Sequence, residues 1–210
     1  MIEVLYHLDK EAFIFCNQTL ANPVFDVVMP FLTDLNQHWY GLAIYALAWL
    51  LLMWKGGRRG RIIGWLLIPL IVLSDQLSST VIKNIIQRPR PCHEIVGVQV
   101  VERVRLLVPC GSGYSFPSSH AVNNFAVATF LACYFARWRW FFFSWAAVIA
   151  FTRPYIGVHF PSDAIGGAII GALCAIFISS LWNALGRRYP VLSIPPQQAT
   201  IAQGSVESGI

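Results

Sequence analysis

Five stretches of this chain, about 38–54, 62–83, 119–136, 140–155 and 164–183, each run for sixteen residues or more with hardly a charged side chain. Nothing constrains the fold more. A helix in lipid must bury its side chains in hydrocarbon and satisfy every backbone group internally, at about 20 residues per crossing. Charged residues make up 12% of the chain and hydrophobic ones 56%, with a mean hydropathy of +0.58. A soluble domain carries about 25% charged residues. The expected fold is therefore all-α: a polytopic transmembrane helical bundle of five to six spans. The shorter runs are near the lower limit for a crossing, and their aromatic ends suit the interface. Gly167 and Gly171 form a GxxxG pair in the fifth run, a spacing that lets a neighbouring helix approach closely.

Residues 3–20 place Val4, Leu5, Leu8, Ala12 and Phe15 at near-helical spacing among Glu3, Asp9, Lys10 and Glu11, as in an amphipathic helix lying on the membrane. Residues 12–32 could supply a sixth span, but Asn17, Gln18, Asn22 and Asp26 argue against it. The expected division is an interfacial segment over 1–34, a transmembrane domain over 35–188 and a polar, disordered cytoplasmic tail over 189–210. The opening residues lack the basic start and unbroken apolar stretch of a cleavable signal.

The net charge of +5 does not point to nucleic acid, because the basic residues sit in short clusters between apolar runs. Lys55, Arg58, Arg59 and Arg61, then Arg137 and Arg139, then Arg187 and Arg188 all fall on one side of a five-span layout. That side is expected to be cytoplasmic. The opposite side should then carry few cations, yet Lys83, Arg88, Arg90, Arg103 and Arg105 lie there. An anionic substrate would explain them.

Three motifs meet on that outer side: Lys83-(six residues)-Arg90-Pro91, Pro117-Ser118-Ser119-His120, and Arg153-(five residues)-His159-(three residues)-Asp163. Together they hold what transfer of a phosphoryl group needs. Lys83, Arg90 and Arg153 can neutralise phosphate oxygens, with Ser118, Ser119 and the helix amides behind them as neutral donors. His159 needs one free ring nitrogen to attack, so its other nitrogen should face a carboxylate, and Asp163 stands four residues on. His120 would protonate the departing oxygen and later activate water.

The three motifs resemble KxxxxxxRP, PSGH and SRxxxxxHxxxD, the signature of the type-2 phosphatidic acid phosphatase and haloperoxidase superfamily. The likeness covers Lys83 to Asp163, with Ser119 in place of the usual glycine and Thr152 in place of the usual serine. It implies catalytic His159, His120 and Asp163, with phosphate bound by Lys83, Arg90, Ser118, Ser119 and Arg153. It further implies a lipid phosphatase of the cell (inner) membrane, its site facing the extracytoplasmic side. The small size and five-span layout resemble the bacterial undecaprenyl-diphosphate phosphatases of that superfamily. Phosphatidylglycerophosphate, phosphatidate and lipid A phosphates are the alternatives. A non-enzymatic lipid-phosphate binder would need the cations but not the two histidines. Zinc suits two histidines and a carboxylate, but three neighbouring cations would repel it, so neither metal nor other cofactor is expected.

Other residues have plainer readings. His7, His38 and His93 belong to no motif. Asp75, costly inside the second run, is expected to be satisfied by Ser74, Ser78 or Ser79 or to support the site. The repeat Arg88-Pro89-Arg90-Pro91 leaves two arginines competing for phosphate; spacing favours Arg90, with Arg88 assisting. Cys92 and Cys110 share the polar loop and would pair if it faces an oxidising compartment.

Overall fold

A computed structural model describes residues 2–95 and 98–195. Most of the tail expected to be disordered, from 196 onward, lies outside the described residues. Among the described residues eight α-helices carry the fold: α1 (Ile2–Ile14), α2 (Pro23–Thr33), α3 (Trp39–Lys55), α4 (Gly57–Gln76), α5 (Lys83–Ile86), α6 (Ser119–Tyr134), α7 (Arg139–Tyr155) and α8 (Pro161–Arg188). A π-helical stretch, Leu77–Ile82, joins α4 to α5 without a break. A two-residue antiparallel pair, β1 (Glu94–Ile95) and β2 (Val98–Gln99), lies in the loop between α5 and α6.

All five apolar runs are helical. The continuous helix Gly57–Ile86 and α8, of 30 and 28 residues, are long and apolar enough to cross a membrane. Helices α3, α6 and α7 have 17, 16 and 17 residues. The molecule is an all-α membrane bundle, apolar outside as well as within. Ile165, Ile169, Leu173 and Ile176 of α8 are all more than half exposed. Lipid, and not water, suits such a face.

The centre is α6, packed against α4, α7 and α8. Ile63, Leu66 and Leu70 of α4 meet Ala126 and Phe130 of α6 and Cys174 and Ala175 of α8. The GxxxG pair explains how closely α6 and α8 lie. A Cβ on Gly171 would stand 2.2 Å from the Val122 carbonyl oxygen, and one on Gly167 2.9 Å from that of Ser118. Only hydrogen at these positions lets the two backbones touch.

The basic clusters gather at one end of the bundle. Arg59, at the start of α4, donates to the carbonyl oxygens of Tyr134 at the end of α6 and Pro195 beyond α8. The motif residues occupy the other end. There the long loop between α5 and α6 is closed by a disulfide between Cys92 and Cys110.

The N-terminal residues are more than a surface segment. Asn17 is fully buried, donating to the carbonyl oxygens of Arg105 and Tyr155, at 2.9 and 2.7 Å. Helix α1 packs against α8 and α2 against α7, the two helices that carry the third motif.

Candidate active site

The third motif is built where α7 gives way to α8. Helix α7 ends at Tyr155, and Gly157 turns the chain with φ +94, a value side chains rarely adopt. Pro161 then opens α8 at its first position, preset for a helix start. Asp163, two residues on, reaches back to accept the Phe160 N–H at 2.8 Å. Capping thus fixes the carboxylate directly beside the loop that carries His159.

His159 is 2% exposed, its Nδ1 3.5 Å from Asp163 Oδ2 and 3.4 Å from Ser115 Oγ. Ser115 donates its own proton to the same carboxylate oxygen. A carboxylate can only accept, so Nδ1 carries the proton and Nε2 keeps its lone pair. Burial pushes the His159 pKa down to about 4, with the Arg153 and Arg90 charges acting in the same direction and the Asp163 bond opposing them. The ring is therefore neutral at pH 7, the state a nucleophile requires.

The second motif is tied to the third by backbone. Ser118 N donates to the Asp163 carbonyl oxygen at 3.1 Å, which holds the start of α6 against the start of α8. Ser118 caps α6; its hydroxyl is buried without a hydrogen-bond partner among the described residues. Such an orphan costs stability unless a ligand satisfies it. His120 follows in the first turn. Its Nε2 stands 3.2 Å from the Thr33 carbonyl oxygen, which assigns the proton to Nε2.

Three cations complete the cluster. Arg90 is 9% exposed and fixed by its Nε, which donates to Gly113 O at 2.7 Å. Arg153 is 8% exposed, with Nη1 donating to Thr33 Oγ1 at 2.6 Å and Nε buried without a partner among the described residues. Lys83 lies within electrostatic reach of Arg90, Arg153 and Asp163, and His120 within reach of Arg153, His159 and Lys83. Like charges concentrated in so little space repel one another, and an anion between them relieves that repulsion.

The neighbouring polar residues find partners within the protein. Ser119 Oγ accepts from the Ser78 hydroxyl on the π-helical stretch at 3.2 Å, which leaves its own proton free to donate. Thr152 Oγ1 donates back into its own helix, to Ile149 O at 2.6 Å. An anionic substrate does not account for every cation at this end of the bundle, because two are used within the protein. Arg88 donates to Asp163 Oδ1 at 2.7 Å and to Asp9 Oδ2 at 2.6 Å, and Arg105 grips both oxygens of Asp26 at 2.7 and 2.8 Å. Asp75 is met by Asn123, whose Nδ2 donates to Oδ1 at 3.1 Å; Ser78 and Ser79 take its backbone carbonyl instead. His93 is a loop residue bound to Gly111 O, and His38 stacks on Tyr40. Asp9, Thr33 and Ser115 carried no sequence signal. They belong to no motif, and only the packing of distant segments brings them in.

A family model described as the PAP2 superfamily matches residues 64–187. A lipid A 4'-phosphatase of Bacteroides thetaiotaomicron is 36% identical over 107 residues, 48% of this chain and 45% of that protein. An undecaprenyl-diphosphatase of Sulfolobus acidocaldarius is 30% identical over 146 residues, 69% of this chain and 65% of that one. The crystal structure of Aquifex aeolicus LpxE superposes with a TM-score of 0.62 at 28% identity, covering 82% of this chain and 95% of that one. The chain spans about half the length of the curated lipid A 4'-phosphatases it matches.

Proposed function

This chain belongs to the PAP2 superfamily, and from that premise we propose that it removes a phosphoryl group from a membrane lipid phosphate or diphosphate, through a phosphohistidine on His159. One observation carries the reading. A buried, neutral imidazole with one proton-bearing nitrogen against a carboxylate lies beside Arg90 and Arg153, which act on its ring electrostatically.

Phosphate oxygens enter between Lys83, Arg90 and Arg153, with the orphan Ser118 hydroxyl and Arg153 Nε–H as further donors. Nε2 of His159 attacks phosphorus as the bond to the leaving oxygen breaks, and His120 in its imidazolium form, Nε2–H held by the Thr33 carbonyl, gives its Nδ1 proton to that oxygen. The leaving group is a lipid alcohol, or a lipid monophosphate if the substrate is a diphosphate. Asp163 supports the charge developing on the ring. His120, now a base, takes a proton from water as that water attacks the phosphohistidine and frees inorganic phosphate. Asp163 is already surrounded by donors from Arg88, Ser115 and Phe160, which supports a reaction without metal.

The site is placed at the extracytoplasmic face of the cell (inner) membrane. The gathering of basic clusters at the opposite end supports that orientation, as does the disulfide on the site's side. For the lipid, an isoprenoid diphosphate and an acylated-sugar phosphate are the two readings, because the relatives carry both names. Phosphate release in detergent from undecaprenyl diphosphate, lipid A and glycerolipid phosphates, with and without EDTA, tests the proposal. Release from at least one lipid, insensitive to EDTA and lost in His159→Ala, is the expected result. Release no faster than the His159→Ala control from every lipid would favour a binding protein.

A further inference from the structure

Asp9 of α1 lies far outside the stretch that matches the family, yet only Arg88 and Asp163 stand between it and His159. Its Oδ1 accepts the Ser162 N–H at 2.9 Å, its Oδ2 accepts Arg88 Nη2 at 2.6 Å, and the Ser162 hydroxyl donates to Oδ2 as well. Arg88 in turn gives Nη1 to Asp163 Oδ1 and to Ser162 Oγ, each at 2.7 Å. Its guanidinium is centred 4.1 Å from the Phe160 ring. The arginine is held by carboxylates at two of its nitrogens and by an aromatic face. Its side chain is 21% exposed, that of Asp9 11% and that of Asp163 0%.

We propose that Asp9 is a positioning residue for His159, acting through Arg88 and Asp163, so that the N-terminal helix is part of the catalytic apparatus. The proposal rests on His159 as nucleophile. Asp163 has two demands on it: Arg88 draws on Oδ1, while Oδ2 must face the imidazole. A cation bound to Asp163 alone would pull electron density from the side that serves His159. Asp9 shares that cation, fixes the plane of its fork and leaves Asp163 able to support the ring. Ser162, anchored to Asp9 by backbone and hydroxyl, fixes the first turn of α8 from the same side.

The test compares Asp9→Asn, Asp9→Glu and Arg88→Gln with the parent protein in detergent. Orthovanadate and inorganic phosphate are titrated by calorimetry, which needs no turnover. Vanadate can form a bond to the imidazole nitrogen and mimic the transition state, whereas phosphate reports the cations alone. Asp9→Asn should weaken vanadate about tenfold and phosphate less than twofold, with Asp9→Glu recovering most of the loss. Where lipid phosphate is turned over, kcat should fall with KM nearly unchanged. The groups facing His159 from the surrounding elements are Asp163 on α8, Arg153 on α7, Arg90 in the loop between α5 and α6 and His120 on α6. With these constant, removing the Asp9 charge moves the acidic limb of kcat/KM to lower pH, and Arg88→Gln moves it to higher pH. Equal weakening of both anions, or an unchanged vanadate affinity, would overturn the proposal. Absence of lipid phosphatase activity in the parent would instead fall on the function proposed above.

Discussion

Arg88 and Asp163 form an ion pair at 2.7 Å in which the carboxylate is wholly buried. In the repeat Arg88-Pro89-Arg90-Pro91, the first arginine is thus committed inside the protein, and the second is the one proposed to bind the anion. The two should behave differently when truncated. Arg90→Ala removes a phosphate donor and should lower kcat/KM by about 10²–10³, with inorganic phosphate binding weakened in parallel. Arg88→Ala should spare phosphate binding and lower kcat. Inhibition by phosphate, measured for both variants, separates them; equal weakening would contradict the assignment.

His120 is assigned to the leaving oxygen, so its loss should depend on how much help that oxygen needs. His120→Ala should slow a lipid alkyl phosphate by about 10²–10⁴. An aryl phosphate, whose phenolate leaves unaided, should still form the phosphoenzyme rapidly and then stall before hydrolysis. A burst of phenolate without turnover is the expected trace. An equal loss with both substrates in the burst phase would remove His120 from that role.

The depressed His159 pKa sets the pH dependence. The imidazole attacks only when neutral, and burial brings its folded pKa down to about 4. After correction for substrate ionisation, the acidic limb of kcat/KM should lie well below the unperturbed imidazole value of about 6.5. The same shift acts on stability. Between about pH 6.5 and 4 the unfolded chain takes up a proton that the folded one refuses, so this contribution is present above that window and lost as pH falls through it. A limb at or above pH 6.5 would contradict a buried, neutral ring.

Much of this was legible in the sequence because lipid leaves few options. The second to fifth apolar runs predict α4 to α8 closely, since a crossing helix must be apolar along its length. The site residues of three motifs could be read together because each sits beside a helix end on the same side. Side-chain partners were less accessible. Asp9 reads as one charge on an amphipathic helix, and Thr33 as the polar end of a short apolar one; only the folding of α1 and α2 against α7 and α8 reveals their partners. For Asp75 the sequence offers nearby serines on its own helix or a supporting role at the site, but the helix turns the Ser78 and Ser79 hydroxyls back onto its backbone carbonyl. Its side chain is met by Asn123 from across the α4–α6 interface.

That close packing extends to α8. Gly171→Ala would place a methyl group 2.2 Å from the Val122 carbonyl oxygen. The helices must separate, at about 1–3 kcal/mol, and the start of α8 carries Asp163 with it. A lowered thermal midpoint in detergent together with reduced kcat is expected. An unchanged midpoint would show that α6 and α8 are not in backbone contact.

The disulfide gives a topological test as well as an energetic one. Cys92 and Cys110 are 18 residues apart, and closing such a loop stabilises the fold by about 3 kcal/mol. In protein isolated from cells without reductant, both thiols should resist alkylation, and their joint replacement by serine should lower the thermal midpoint. Free labelling of both would place the loop in a reducing compartment.

The account depends most on where the phosphoryl group goes. Mass-spectrometric mapping of protein quenched in alkali during turnover, with His120→Ala and an aryl phosphate used to prolong the intermediate, should find phosphate on His159 and none in His159→Ala. Phosphate on a different residue, or no phosphoenzyme while lipid phosphate is still being hydrolysed, would contradict it.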